Sequence, residues 1–218
     1  MSAASSFVLA SRSPRRRELL GWLVPADRIV VVPPRDAAEP GFAGLCELAA
    51  IQRRLAEIAR QKGADVADQL SMKDARDRGG YIIIAADTTV VAAGADGALR
   101  VLGQPPEDDS WKNTVRQWFR EYYAGRTHRA LTALCVHGPR GRIAERMVST
   151  EVTFIADVES RLEWYIGTEE PRGKAGGYAI QGAGSIFISQ VTGSLSNVIG
   201  LPLEALLDVL TELQIDVG

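Results

Sequence analysis

The sequence predicts an α/β protein in which helices cover a mixed sheet, and three stretches carry that expectation. Residues 81–86 (YIIIAA) are an unbroken apolar run, the pattern of a strand buried on both faces in a parallel or mixed sheet. Residues 6–20 read as strand, tight turn and helix. Leu48, Ile51, Leu55 and Ile58 recur at three-four spacing, one face of a helix that the pattern carries to about Ala67. Composition agrees, since 46% of the 218 residues are hydrophobic and 24% charged, ordinary for one globular unit or two small lobes. The net charge of -2 is too acidic for a general nucleic-acid binder. No apolar run reaches the roughly eighteen residues that span a bilayer, and the N-terminus lacks the apolar core of a signal peptide. Cys46 and Cys135 are isolated, without metal-type spacing, so structural thiols in the reducing cytoplasm are expected and neither is a candidate nucleophile.

The first helix breaks a local rule. Phe7 to Ala10 form a strand bounded by serines, Ser13 suits an N-cap, and Pro14 suits the first helical position, where no N–H is needed. Yet Arg15, Arg16 and Arg17 then crowd the positive end of the helix dipole, where each like charge costs roughly 0.3–1 kcal/mol without compensation. Backbone N–H groups, the hydroxyls of Ser11 and Ser13, and several guanidinium groups converging after a strand suit a polyanion such as a phosphate chain. The alternative is an arginine-rich helix face in solvent.

Arg28 to Val32 read as a β-branched second strand ended by Pro33 and Pro34. Asp36 and Glu39 then lie in a loop, as surface carboxylates or the rim of a cation site. Lys62 continues the buried stripe of the long helix, so it either snorkels to solvent or reaches inward toward an anion. Residues 68–80 lose the apolar pattern and read as a polar surface insertion. Asp87 and Thr88 follow the apolar run, at the expected carboxyl end of its strand. Ligand sites of open α/β sheets lie there, which makes Asp87 a candidate for catalysis or metal binding, with a structural cap as the alternative.

Residues 89–93 and 98–102 suggest a hairpin around 94–97, and Asp108 or Asp109 can cap a helix with Trp111, Val115, Trp118 and Tyr122 inward. Gly125 ends that helix, and residues 129–136 and 142–155 form a second hairpin. His128 and His137 fall at strand ends, too far apart to be read as a metal pair. A short helix near residues 160–166 closes at Gly167. The stretch 174–184 is rich in glycine and alanine around Lys174, Tyr178 and Gln181, which permits close backbone approach. A last helix follows Pro202, with Leu203, Leu206, Leu207 and Leu210 as its buried face.

Six motifs in order, at residues 9–16 (LASRSPRR), 86–91 (ADTTVV), 102–105 (LGQP), 125–128 (GRTH), 174–182 (KAGGYAIQG) and 193–202 (GSLSNVIGLP), resemble the Maf family of nucleoside triphosphate pyrophosphatases over nearly the whole chain. The resemblance implies a two-lobed α/β fold related to that of inosine triphosphate pyrophosphatase. One Maf-like domain would span residues 1–218, with the nucleotide in a central cleft. It also implies a divalent cation such as Mg²⁺ or Mn²⁺, and family members commonly form homodimers. By position, Asp87 matches the catalytic proton acceptor, and Ser11, Arg15, Arg16 and Lys62 match residues lining the triphosphate site. Arg15, Thr88 and Gln181 match positions that separate subfamilies, and here they resemble the branch hydrolysing dTTP and UTP rather than those preferring 7-methyl-GTP or CTP-like substrates. Metal ligands beyond Asp87 are not identified by the motifs, and Asp36 and Glu39 are the nearest candidates. One position departs from the pattern: Gln104 stands where leucine-glycine-lysine-proline would put a lysine, which removes a charge while keeping a hydrogen-bond donor. That departure favours the rival reading, a non-catalytic or weakly active nucleotide-binding regulator linked to septum formation and cell division.

Overall fold

The chain is seen here in a computed structural model that describes residues 6–35, 41–73 and 80–217. Asp36, Glu39 and residues 74–79 of the expected polar insertion lie outside those residues. One seven-stranded sheet organises the described chain, in the order β2-β1-β3-β5-β6-β7, with β4 also on β3. Its strands are β1 (Ser6–Leu9), β2 (Ile29–Val31), β3 (Tyr81–Ala93), β4 (Leu99–Leu102), β5 (Thr127–His137), β6 (Ile143–Phe154) and β7 (Ile188–Thr192). The first three strands pair in parallel and the remaining pairs are antiparallel, so the expected mixed sheet is observed. The sequence reading had no counterpart of β7, a partly exposed edge strand.

The helices are α1 (Pro14–Leu20), α2 (Leu48–Lys73), α3 (Trp111–Trp118), α4 (Glu159–Gly167), α5 (Leu195–Ile199) and α6 (Leu203–Glu212). Alternation along β1 and β3 separates two apolar layers. Phe7, Leu9, Ile82 and Ile84 pack with Leu19, Leu20, Leu206 and Leu210 of α1 and α6. Val8, Ile83 and Ala85 pack with Ile51, Leu55 and Ala59 of α2 on the other face. A third cluster fills the far end of the long strands, where Val90 and Val152 meet Trp111, Phe119, Tyr165 and Phe187.

Several local expectations are corrected by packing. The long helix runs six residues past Ala67, to Lys73, because local polarity does not end a helix already anchored by its apolar stripe. The aromatic stripe beyond α3 shifts by one residue. A π-helical turn over Phe119–Tyr123 widens the spiral, so Phe119 and Tyr123 are buried while Trp118 and Tyr122 are only partly covered. In α6 the inward face is Leu206, Val209 and Leu210, and Leu207 is exposed.

The largest correction concerns Asp87. It lies in the middle of a 13-residue strand rather than at its carboxyl end, paired with Ala133 of β5, while Thr88 pairs with Thr132. A full antiparallel partner carries β3 through the polar pair. The other edge of β3 is discontinuous: β1 pairs with residues 81–84 and β4 with residues 90–93. Asp87 and Thr88 face the gap between those two neighbours. On the even-numbered face Ala86 belongs to the α1/α6 cluster and Val90 to the aromatic cluster, so Thr88 also divides two cores. A cleft opens there.

Candidate active site

The cleft encloses about 840 Å³, within the range of small-molecule sites, and its lining brings together Ser11, Arg15, Arg16, Lys62, Asp87, Thr88 and Gln181. These residues come from the turn before α1, from α1, α2, β3 and the glycine-rich loop. Gln104 and Lys174 line the same space.

The turn between β1 and α1 folds around its own serines. Ser11 Oγ accepts from Ser13 N (3.1 Å), and Ser13 Oγ caps the helix by accepting from Arg16 N (3.4 Å). The Arg16 guanidinium then donates to three elements at once. Its Nε reaches the Gly200 carbonyl (2.8 Å), its Nη1 the Ser11 hydroxyl (3.2 Å) and its Nη2 the Thr88 hydroxyl (3.1 Å). Thr88 Oγ1 lies 2.9 Å from Thr132 Oγ1, and Thr132 Oγ1 is 3.4 Å from the Asn197 carbonyl. Asn197, fully buried, donates to the Ala130 carbonyl and to Thr150 Oγ1, each at 3.0 Å. The planar fork of arginine suits such a three-way anchor, which a lysine could not reproduce.

Lys62 reaches inward. Its Nζ sits 2.6 Å from Asp87 Oδ1, and the two side chains are 15% and 11% exposed, so the ammonium and the carboxylate form a charge-assisted pair with little water around it. Asp87 points toward α2 because odd-numbered residues of β3 face that helix, and Lys62 lies one turn beyond Ile58 on its buried stripe.

The opposite side of the cleft is cationic and less tightly bonded. Burial pulls the Arg15 guanidinium below its ordinary pKa, and the negative charge of Glu170 opposes that shift. Burial also lowers Lys174, helped by the like charge of Arg15 and opposed by Glu170. The glycine-rich stretch holds a 3₁₀ turn at Ala175–Gly177 and leads into another at Ala183–Phe187, with Gly176 (φ 73°) and Gly177 (φ 69°) in the left-handed region. A Cβ on Gly176 would lie 2.7 Å from both the Tyr123 hydroxyl oxygen and a Val90 methyl group, so only glycine lets the loop approach the sheet this closely. Tyr178 anchors the loop from behind, its hydroxyl 2.8 Å from His128 Nε2. Burial pushes His128 down to about 3, which keeps that ring neutral. Both histidines are thereby placed: His128 is inside the core, and His137, at the far end of β5, packs against Gly63.

Motif reasoning did not include Lys174, which lines the cleft, or Glu170, whose negative charge acts on Arg15 and Lys174 from behind the loop. Lys174 had a signal, as the one cation opening the glycine-rich loop. Glu170 had none, because it sits in a polar stretch indistinguishable from surface.

A divalent cation can be tested against the donors present. Among the described residues no group of three or more His, Cys, Asp or Glu could hold a metal ion, so no all-protein cage exists there. Asp87, a hard oxygen donor lining the cleft, suits Mg²⁺ or Mn²⁺ held by one carboxylate together with substrate phosphate oxygens, which is how Mg²⁺ is commonly bound.

Comparison with known proteins places this architecture. A dTTP/UTP pyrophosphatase of Anaeromyxobacter dehalogenans is 38% identical over 203 residues, covering 92% of this chain and 90% of its own. Proteins of the same name from Chelativorans sp. and Pyrococcus horikoshii are 37% and 34% identical, over 96% and 93% of this chain and 92% and 94% of theirs. A solved HAM1 protein from Coxiella burnetii aligns with 95% of this chain and 99% of its own at 17% identity, with a TM-score of 0.48. The family profile described as Maf-like protein matches residues 6–213, and with that extent of match the chain belongs to the Maf family.

Proposed function

We propose that this protein is a nucleoside triphosphate pyrophosphatase that hydrolyses dTTP and UTP, in the cytoplasm, to the monophosphate and pyrophosphate. The observation that carries the reading is the cleft itself: the Lys62–Asp87 pair and the cations Arg15, Arg16 and Lys174 line one space at a break in the sheet edge. The relatives named above support catalysis over a purely regulatory role. The chain is read as one unit whose two lobes flank the cleft.

In this reading the triphosphate lies along the cationic lining. Arg15 and Lys174 meet the spread phosphate charge, and Arg16 fixes the first wall rather than spending its donors on substrate. Asp87 accepts the proton of the water that attacks the α-phosphorus, the bond from the α-phosphorus to the bridging oxygen breaks, and pyrophosphate leaves. Lys62 holds Asp87 in position through the 2.6 Å contact between its Nζ and Asp87 Oδ1. Asp87 is also the residue that would hold the divalent cation. Bound there with the substrate, Mg²⁺ or Mn²⁺ supplies charge neutralisation and polarises the phosphoryl oxygens.

Base choice falls to Gln181, with Thr88 and Arg15. An amide carries both donor and acceptor, which matches the 4-keto and N3–H edge shared by uracil and thymine. Gln181 is exposed at the cleft rim, and once a base covers it an amide in this orientation disfavours cytosine because donors would face donors. The test is release of pyrophosphate, followed with a coupled inorganic pyrophosphatase, across the common nucleoside triphosphates with Mg²⁺ or Mn²⁺. UTP and dTTP are expected first; CTP or 7-methyl-GTP at the head of the ranking would defeat the assignment.

A further inference from the structure

Gln181 is exposed at the rim of the cleft, so where its amide stands against a base edge depends on how its loop is held. Glu170 is built to hold it. One carboxylate oxygen accepts from Ala183 N (2.7 Å), and the other accepts from Gly184 N (2.8 Å) and from the Tyr165 hydroxyl (3.1 Å). Two consecutive amides, at the start of the 3₁₀ turn Ala183–Phe187, thus close on one side chain thirteen residues back in the chain. Gly182, between Gln181 and these amides, is packed on the carboxylate: a Cβ there would lie 1.9 Å from Glu170 Oε2. The neighbouring Glu169 is forced into the left-handed region (φ 56°), a conformation that persists only where surrounding contacts over-determine it. Glu170 is also the negative charge that favours the cationic forms of Arg15 and Lys174.

The geometry points to Glu170 as a positioning residue for base selection, a carboxylate clamp that fixes the loop carrying Gln181 at the rim of the cleft. This rests on the substrate reading above. The clamp acts through Gln181, so its loss should lower the preference between bases and raise KM on the favoured nucleotide more than it lowers kcat. Glu170→Gln keeps the size, removes the charge and turns an amide donor toward a backbone N–H.

The experiment is a double-mutant cycle of Glu170→Gln and Gln181→Ala, read as the ratio of kcat/KM on UTP to that on CTP, with amide hydrogen exchange of Ala183 and Gly184 measured without substrate. Glu170→Gln is expected to lower the ratio about tenfold, the scale of one lost hydrogen bond to a charged group, and to speed exchange at both amides. In the double variant the ratio should fall no further than in Gln181→Ala alone. Tyr165→Phe, which removes one donor and keeps the ring, should lower the ratio in the same direction by about threefold, and it serves if Glu170→Gln does not fold. An unchanged ratio in these variants, losses that multiply in the double variant, or unchanged exchange would overturn the clamp. The wild-type ranking reads the substrate assignment separately. If another base ranks first, the cycle is scored on that preference.

Discussion

Arg15 and Arg16 are neighbours in one helical turn, yet they serve two walls of the cleft that are held in different ways. Arg16 is bound by short donor–acceptor contacts to Gly200, Ser11 and Thr88, which belong to three separate segments, and Thr88 continues the chain of contacts to Thr132. That wall is stiff because each guanidinium donor has a defined direction. Toward the glycine-rich loop, Arg15 makes no hydrogen bond among the described residues, and Lys174 reaches only the Arg172 carbonyl, at 3.4 Å. The field of Glu170 offsets their burial instead. The difference teaches that the first wall is organised for position and the second for charge, which leaves the second wall's cations available to an incoming anion.

The largest effect is expected at the floor between the walls. Asp87→Asn keeps the shape and a contact to Lys62 but removes the proton acceptor, so turnover should fall at least about 10²-fold with little change in fold. Steady-state kinetics with a circular dichroism control checks this, and near-normal turnover would remove Asp87 from the chemistry.

The comparison itself is broken or upheld by two matched substitutions. Arg16→Lys loses the fork that joins three segments and should cost about 1–3 kcal/mol of stability, measured by urea unfolding. Arg15→Lys should change stability by less than about 0.5 kcal/mol while lowering kcat/KM about tenfold, because a point charge replaces a planar fork on phosphate. Equal stability losses in the two variants would erase the distinction between the walls.

A smaller effect lies behind the loop wall. His128 is held neutral by burial, its pKa falling from the ordinary 6.5 to about 3. Between those values the unfolded chain binds a proton that the folded chain refuses, so stability declines as pH falls through that window, by about 1.4 kcal/mol per unit. Unfolding free energies from urea titrations at pH 7 and pH 5 should therefore differ by about 2 kcal/mol less in a His128→Gln variant than in the wild type. The same pH response in both proteins would show that His128 is not the group responsible.

Much of this arrangement was legible from spacing. The cap at Ser13 and the proline after it mark α1 because both act within one turn, and the apolar stripe of α2 has a period that needs no partner to be recognised. The extent of β3 was not legible. Asp87 and Thr88 look like a strand end when only their own neighbours are considered, and only pairing with Ala133 and Thr132 of β5 carries the strand through them. The aromatic stripe after α3 shifted for a related reason, since a π-helical turn is chosen by what Phe119 and Tyr123 pack against. The inward turn of Lys62 was one of two readings until its carboxylate partner was seen on the strand facing α2.

The sequence by itself determined the local features: where helices begin, which faces are apolar, and that arginines crowd a helix start where their charge is unfavourable. These follow from interactions within a few residues, so they survive the absence of a fold. Only the tertiary structure decided which arginine became a strut and which remained open to an anion, and that Glu170 closes around the Gln181 loop. Those roles depend on groups 13 to 184 residues apart in the chain, whose meeting is set by sheet order and by the gap between β1 and β4, and no local pattern encodes that meeting.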